Sequence, residues 1–124
     1  MNTLLKSVSP SRFAKATGYA VEGVLYAFRK EPSFLRIAFI GFAIAGLGWY
    51  LGPLPRHEIA ILVIAVAGIL IAELLNTGVE IIAEFVHPER HERMKRVKDC
   101  AAGATFVATC AACTVCIVLF SGRW

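Results

Sequence analysis

Three glutamates and one asparagine share one face of an apolar stretch, Glu73-Leu-Leu-Asn76-Thr-Gly-Val-Glu80-Ile-Ile-Ala-Glu84. On an α-helix, which turns 100° per residue, these four side chains fall within about 80° of one another. A carboxylate in hydrocarbon costs several kcal/mol, so such residues in a membrane segment usually have a partner or a function. The row predicts a metal or phosphate site at a membrane surface.

The alternative is a helix that leaves the membrane here and exposes its last acids to water. This alternative explains Glu84 well and Glu80 in part. It explains Glu73 badly, because apolar residues continue beyond it as far as Val86. The pattern therefore favours a functional site around Glu73.

The composition of the chain is that of a membrane protein. Of its 124 residues, 57% are hydrophobic, with a mean hydropathy of +0.65, whereas a soluble domain is about 45–50% apolar. We therefore predict one all-α membrane domain over residues 1–124. The net charge of +4 is small and scattered, and it gives no indication of nucleic-acid binding.

The apolar pattern divides this domain into four predicted helices. Residues 12–30 have apolar residues at helical spacing but are too polar to span a bilayer, so they predict an amphipathic helix on the membrane surface. Three transmembrane helices are predicted over 34–51, 58–86 and 100–120. Pro88, in the polar segment before the third span, can occupy the first turn of a new helix.

The distribution of basic residues predicts the orientation in the membrane. Five Lys or Arg residues precede the first span and five lie in the loop 87–99, whereas the other side has only Arg56 and Arg123. The positive-inside rule places the N-terminus and the loop 87–99 in the cytoplasm. Nucleotides and Mg²⁺ are available on that side.

The cysteines of the third span have the spacing C-x2-C-x2-C, at Cys110, Cys113 and Cys116. This spacing occurs in metal and iron–sulfur sites, but the segment is uncharged and has no fourth ligand nearby. In such surroundings cysteine behaves as a small hydrophobic residue. The sequence assigns these cysteines no further role.

Over almost its whole length the chain resembles the prokaryotic integral-membrane diacylglycerol kinase / undecaprenol kinase family. The strongest match is Glu73-x-x-Asn76-Thr-x-x-Glu80, which is similar to the family signature E-x-x-N-[ST]-x-x-E. The resemblance implies a homotrimer in the prokaryotic inner membrane that transfers the γ-phosphoryl group of MgATP to a lipid hydroxyl, with active sites shared between protomers. Supporting matches are Lys98-Asp99, Glu31 with Phe34, and Arg12, Lys15, Gly18 and Tyr19.

The resemblance also implies a role for each matching residue. Glu73 would be the base on the lipid alcohol, and Asn76 would orient Glu73 or the phosphoryl oxygens. Glu31 and Glu80 would hold Mg²⁺ against the ATP phosphates. The nucleotide contacts would be Arg12, Tyr19, Glu31, Glu80, Glu89, Arg90, His91, Lys98 and Asp99. The lipid substrate would contact Arg12, Ala16, Thr17, Gly18, Glu73 and Ala102.

The sequence departs from the family pattern after Phe34. Many members have Arg next and an acid or His two positions later, where this chain has Leu35 and Ile37. Arg36, between them, is close enough to the start of the first span to reach the interface with its charged group. Two interpretations stay open: a kinase acting on diacylglycerol or undecaprenol, and an inactive lipid-binding or scaffold protein with the same fold.

Overall fold

The computed structural model describes residues 9–122, and every regular element in that range is an α-helix. The helices are α1 (Pro10–Lys30), α2 (Pro32–Leu51), α3 (Arg56–Val86) and α4 (Glu92–Phe120). The last three are long and apolar enough to cross a membrane. The predicted all-α membrane fold is therefore confirmed, and α4 begins eight residues before the predicted start of the third span.

The break between α1 and α2 lies at Glu31. Ser9 caps α1, and its hydroxyl accepts a hydrogen bond from the Arg12 amide at 3.4 Å. At the other end, Glu31 has an extended backbone (φ −109°, ψ 102°), the conformation favoured for a residue before proline. The rings of Phe28 and Phe34 meet edge to face across this break, with centroids 4.7 Å apart. These contacts hold Glu31 at the junction of two helices.

The helix α4 does not begin at Pro88, although proline can occupy the first turn of a helix. Pro88 lies in the connection between α3 and α4, and α4 begins only at Glu92. The His91 side chain caps the helix, because its Nδ1 accepts a hydrogen bond from the Arg93 amide at 3.2 Å. The helix begins where a side chain can satisfy one of its first free amides.

Among the four described helices, α3 and α4 form the most extensive contact, as an antiparallel hairpin. In the part of the chain that the structure describes, α1 packs against α2 and α3 but not against α4. Buried side chains include Ala27 and Phe34 at the α1–α2 junction and Thr77 and Ala83 on α3. Only 11% of the most apolar window of each long helix is buried within the chain, which leaves wide apolar faces for lipid or for further protein chains.

Gly52, which follows α2, has φ +125° and ψ 164°, a conformation that is essentially restricted to glycine. Apart from its chain neighbours, no atom lies within 4 Å of a Cβ built at this position, so the strain in Gly52→Ala would be conformational. We expect a loss of about 1–3 kcal/mol, measured as a lower Tm in detergent. Gly46→Ala, inside α2 with equally open surroundings, is the control. An unchanged Tm for Gly52→Ala would contradict this account.

Candidate functional site

The acidic cluster consists of Glu31, Glu73 and Glu80. Glu73 and Glu80 lie half-buried on α3, and Glu31 lies half-buried at the α1–α2 junction. Glu73 interacts electrostatically with both other carboxylates and with Arg36 of α2. Since like charges held together in a poorly hydrated region repel, the cluster favours any ligand that brings positive charge.

Asn76 lies between Glu73 and Glu80 on the same helix. Its Nδ2 donates a hydrogen bond to Oε1 of Glu80 at 3.3 Å. Its Oδ1 is buried and has no hydrogen-bond partner. The structure therefore directs the amide NH₂ towards Glu80, whereas the predicted partners were Glu73 or the phosphoryl oxygens.

A cavity of about 530 Å³ lies at the turn of the α3–α4 hairpin. It contains four of the residues predicted to contact nucleotide: Glu89, Arg90, His91 and Lys98. The His87 and His91 rings lie with centroids 5.0 Å apart at this turn. The complete lining of this hairpin cavity is Ala83, Glu84, His87, Pro88, Glu89, Arg90, His91, Glu92, Met94, Lys95 and Lys98.

Other predicted site residues lie apart from the hairpin cavity in this single chain. The predicted site residues on α1 are all exposed, and α1 does not pack against α4. On α4, Asp99 and Ala102 are exposed, and Asp99 accepts a hydrogen bond from Nζ of Lys95 at 3.0 Å. The residues concerned on α1 are Arg12, Ala16, Thr17, Gly18 and Tyr19.

The structure adds two residues that sequence reasoning missed. Arg36 was interpreted as a charge reaching for the interface, but it interacts electrostatically with Glu73, and its Nη2 donates to Oγ of Ser33 at 3.2 Å. The sequence signal for Arg36 was its position as a single arginine in an apolar helix that begins beside a glutamate. His87 lines the hairpin cavity, with its Nδ1 3.1 Å from the Glu89 carbonyl oxygen.

The carboxylates of the acidic cluster fit Mg²⁺ in part. Among residues 9–122, no group of three or more His, Cys, Asp or Glu side chains is arranged to hold a metal ion. Mg²⁺ is usually held by one or two carboxylates together with substrate phosphates. Glu31 and Glu80 have the hard oxygen donors that this arrangement requires, and phosphate oxygens would complete the set.

The cysteines of α4 are all free thiols. Cys110 and Cys113 are exposed and Cys116 is half-buried.

Comparison with known proteins decides the family. The model of the prokaryotic diacylglycerol kinase family matches residues 18–120, which covers most of the chain and, completely, three of the four helices found in residues 9–122. The chain belongs to this family. The match contains the whole signature from Glu73 to Glu80 and begins after Arg12, Ala16 and Thr17. The resemblance predicted from the signature is thereby confirmed.

Named relatives agree with the family match. The chain is 35% identical to a diacylglycerol kinase of Pseudomonas aeruginosa over 97 residues, which is 78% of each protein. It is 29% identical to a diacylglycerol kinase of Haemophilus influenzae over 107 residues, 86% of this chain and 90% of the relative. It is 30% identical to an undecaprenol kinase of Bacillus subtilis over 110 residues, 89% of each. Membership of this family makes the chain a lipid kinase with several membrane-spanning helices.

Proposed function

We propose that this chain transfers the γ-phosphoryl group of ATP to the hydroxyl of diacylglycerol or undecaprenol. The observation that carries the proposal is the acidic cluster, in which Glu31 of one helix junction interacts with the signature glutamate Glu73 of α3. Relatives that match most of the chain are named as kinases of these two lipids. An inactive scaffold finds no support among them.

In the proposed reaction, Glu73 accepts the proton of the lipid hydroxyl while the lipid oxygen forms its bond to the γ-phosphorus. The bond from the γ-phosphorus to the bridging oxygen breaks, and ADP leaves with that oxygen. A lipid alcohol is too weak an acid to ionise beforehand, so proton transfer accompanies attack. Glu73 is suited to this role because it is half-buried among apolar residues, where water competes poorly for the reacting groups.

The phosphates of ATP would lie between the acidic cluster and the hairpin cavity. Glu31 and Glu80 would hold Mg²⁺, which supplies positive charge to the transferring phosphoryl group when bound. Lys98 and Arg90 line the hairpin cavity. Their positively charged groups would contact the phosphates of ATP, including those nearest the ribose. His87 and His91 offer ring surfaces on which an adenine base can stack.

We further propose that the active unit is a homotrimer with sites shared between protomers. The exposed position of Arg12 and Tyr19 on α1, away from α4, supports this assembly, because a neighbouring chain would have to bring these residues to the hairpin cavity. In this arrangement α1 lies as an amphipathic helix on the cytoplasmic surface of the inner membrane. The 77% exposure of Phe13 leaves its ring free to enter the lipid.

A direct assay tests the proposed function. The purified protein is reconstituted in vesicles that contain either diacylglycerol or undecaprenol, and radiolabelled ATP is added with Mg²⁺. Label in the lipid fraction of one vesicle type supports the proposal and identifies the preferred lipid. Absence of labelled lipid with both substrates, from protein that is folded, would exclude it.

The nucleotide site makes a separate prediction about Lys98. Removing its charge by Lys98→Met should raise the KM for ATP about 10- to 100-fold, because a hydrogen bond to a charged group contributes about 1.5–3 kcal/mol. Arg93→Met is the matched control, since Arg93 is exposed on the same helix and does not line the hairpin cavity. An equal KM in the two variants would remove Lys98 from the nucleotide site.

A further inference from the structure

The helix α4 is capped by a side chain that can bind a proton near neutral pH. Nδ1 of His91 accepts a hydrogen bond from the backbone amide of Arg93 at 3.2 Å. The other helix of residues 9–122 with a side-chain N-cap is α1, where the cap is the hydroxyl of Ser9. Serine, threonine, aspartate and asparagine are the preferred caps, whereas histidine changes its charge between pH 5 and 8. The start of α4 therefore depends on a group that acid can alter.

The cap requires one particular form of the His91 ring. An amide N–H can only donate, so the Nδ1 atom that accepts from it carries no proton, and the proton of the neutral ring is on Nε2. In the charged ring both nitrogens are donors, and the Arg93 amide loses its acceptor. The positive charge would also lie at the N-terminus of α4, where the helix dipole disfavours it. Protonation of His91 therefore opposes the first turn of α4 in two ways.

The neighbouring ring of His87 has the opposite arrangement. Its Nδ1 lies 3.1 Å from the carbonyl oxygen of Glu89, which can only accept, so His87 carries a proton on Nδ1. This hydrogen bond persists when the His87 ring becomes charged. The centroids of the two rings are 5.0 Å apart, so a charge on one ring opposes a charge on the other. Of these two rings, only that of His91 loses its contact on protonation.

The other charged groups around the cap do not favour a charged ring. Within residues 9–122, α4 packs against α3 but against neither α1 nor α2. Glu92 is paired with Arg96, and Lys95 with Asp99, each at 3.0 Å. The charged side chains that remain around His91 are the acids Glu84 and Glu89 and the bases Arg90, Arg93 and Lys98. These side chains have no excess of negative charge that would hold the ring in its charged form.

The first two turns of α4 form one wall of the hairpin cavity. Met94, Lys95 and Lys98 line the cavity from this helix. When the first turn loses its cap, Met94 and Lys95 lose the backbone that positions them, and the turn that carries Lys98 loses its support. Since His91 is exposed, protons reach its ring directly. The cap therefore connects the protonation of His91 with the shape of the cavity.

We propose that His91 is a positioning residue for the nucleotide: its neutral ring holds the first turn of α4, and its protonation weakens the binding of ATP. The inference rests on the proposed function, in which the hairpin cavity binds ATP. At higher pH, Nδ1 of His91 is free to accept and the affinity for ATP is complete. The affinity then falls as the pH falls through the range in which histidine becomes charged.

The test measures the binding of MgATP at about pH 7.5 and about pH 5.5, with the protein in vesicles that contain neither diacylglycerol nor undecaprenol. His91→Asn retains a cap, because asparagine is a preferred cap, but asparagine does not titrate. We expect acidification to raise the dissociation constant about 5-fold more in the wild type than in His91→Asn, the factor that corresponds to the loss of one cap.

Two features of this design isolate the cap. Comparison at equal pH cancels the titration of ATP itself, and a lost contact between the ring and the nucleotide would lower the affinity of His91→Asn at both pH values alike. His57→Asn is the matched control, because His57 is exposed in the first turn of α3, at the other end of that helix. This variant should keep the pH dependence of the wild type.

A second readout does not depend on nucleotide or on kinase activity. The sequence contains three histidines, so a chain labelled with ¹⁵N-histidine gives ring signals from three residues, and His57→Asn and His87→Asn assign them. At about pH 7.5, Nδ1 of His91 should give the signal of an unprotonated nitrogen. Nδ1 of His87 should give the signal of a protonated one.

The outcomes separate this inference from the proposed function. Equal pH dependence in the wild type and in His91→Asn would overturn the positioning role. Tighter ATP binding by the wild type at the lower pH would overturn it as well, because the charge of His91 would then attract phosphate. A proton on Nδ1 of the neutral His91 ring would overturn the cap. If the wild-type protein labels no lipid, the kinase proposal fails, while ATP binding and the ring signals still decide the role of His91.

Discussion

Replacing Glu73 by glutamine is expected to reduce lipid phosphorylation by about 100- to 10,000-fold, the range for loss of a catalytic acid or base. Glutamine retains the shape of the side chain and cannot accept the proton of the lipid hydroxyl. The variant should remain folded, because removing one of three carboxylates that interact with one another relieves repulsion. The measurement is the initial rate of label transfer from ATP to lipid in vesicles, together with Tm.

Two further variants show whether the loss is chemical. Glu58→Gln makes the same change in the first turn of the same helix, about 22 Å away along its axis, and should leave the rate unchanged. Glu73→Asp retains a carboxylate but withdraws it by one methylene, and a misplacement of about 1 Å can cost about 100-fold. A rate near that of the wild type in Glu73→Gln would show that Glu73 is not the base.

Much of the fold is predictable from local sequence signals. Pro32 ends one helix and begins another, and the turn between α2 and α3 contains Pro53 and Pro55. The apolar segments between such breaks are long enough to span a membrane, so the number of spans follows from length and hydropathy. Proline permits a helix start without requiring one, so Pro88 left the start of α4 open, and the cap at His91 sets it.

The contacts of the candidate site are less predictable, because they depend on how the helices pack. On a helix, Asn76 can reach both Glu73 and Glu80, three and four residues away, so the sequence leaves its partner open. The closeness of Arg36 to Glu73 depends on how α2 lies against α3.

The proposed sharing of sites between protomers also cannot be predicted from one chain. A family resemblance assigned Arg12 and Tyr19 to the nucleotide, yet the fold of the single chain keeps α1 from packing on α4. No local sequence signal distinguishes a residue that completes its own site from one that completes a neighbour's. The pattern of exposed apolar residues on all three long helices indicates that other surfaces cover them, but not which ones.

The prediction with the second largest expected effect concerns the two proposed metal ligands. Glu80→Gln should raise the Mg²⁺ concentration for half-maximal activity by at least about 10- to 100-fold, since even a hydrogen-bonded neighbour of a metal ligand has an effect of this size. Glu31→Gln should do the same. Saturating Mg²⁺ should restore part of the rate, which it cannot do for Glu73→Gln, because that variant lacks a proton acceptor. Lipid phosphorylation measured over a series of Mg²⁺ concentrations provides the comparison.

The double variant Glu31→Gln/Glu80→Gln tests whether both carboxylates act on the same ion. Residues that share one ligand are coupled, so their combined effect should be smaller than the product of the single effects. Two independent roles, such as a metal ligand and a structural charge, would instead multiply. Glu58→Gln combined with Glu80→Gln provides the reference for independent sites, because Glu58 lies at the opposite end of α3. If the effects of the single substitutions multiply in both double variants, Glu31 and Glu80 do not hold one Mg²⁺. The ion would then have to be held by Glu80 and phosphate oxygens alone.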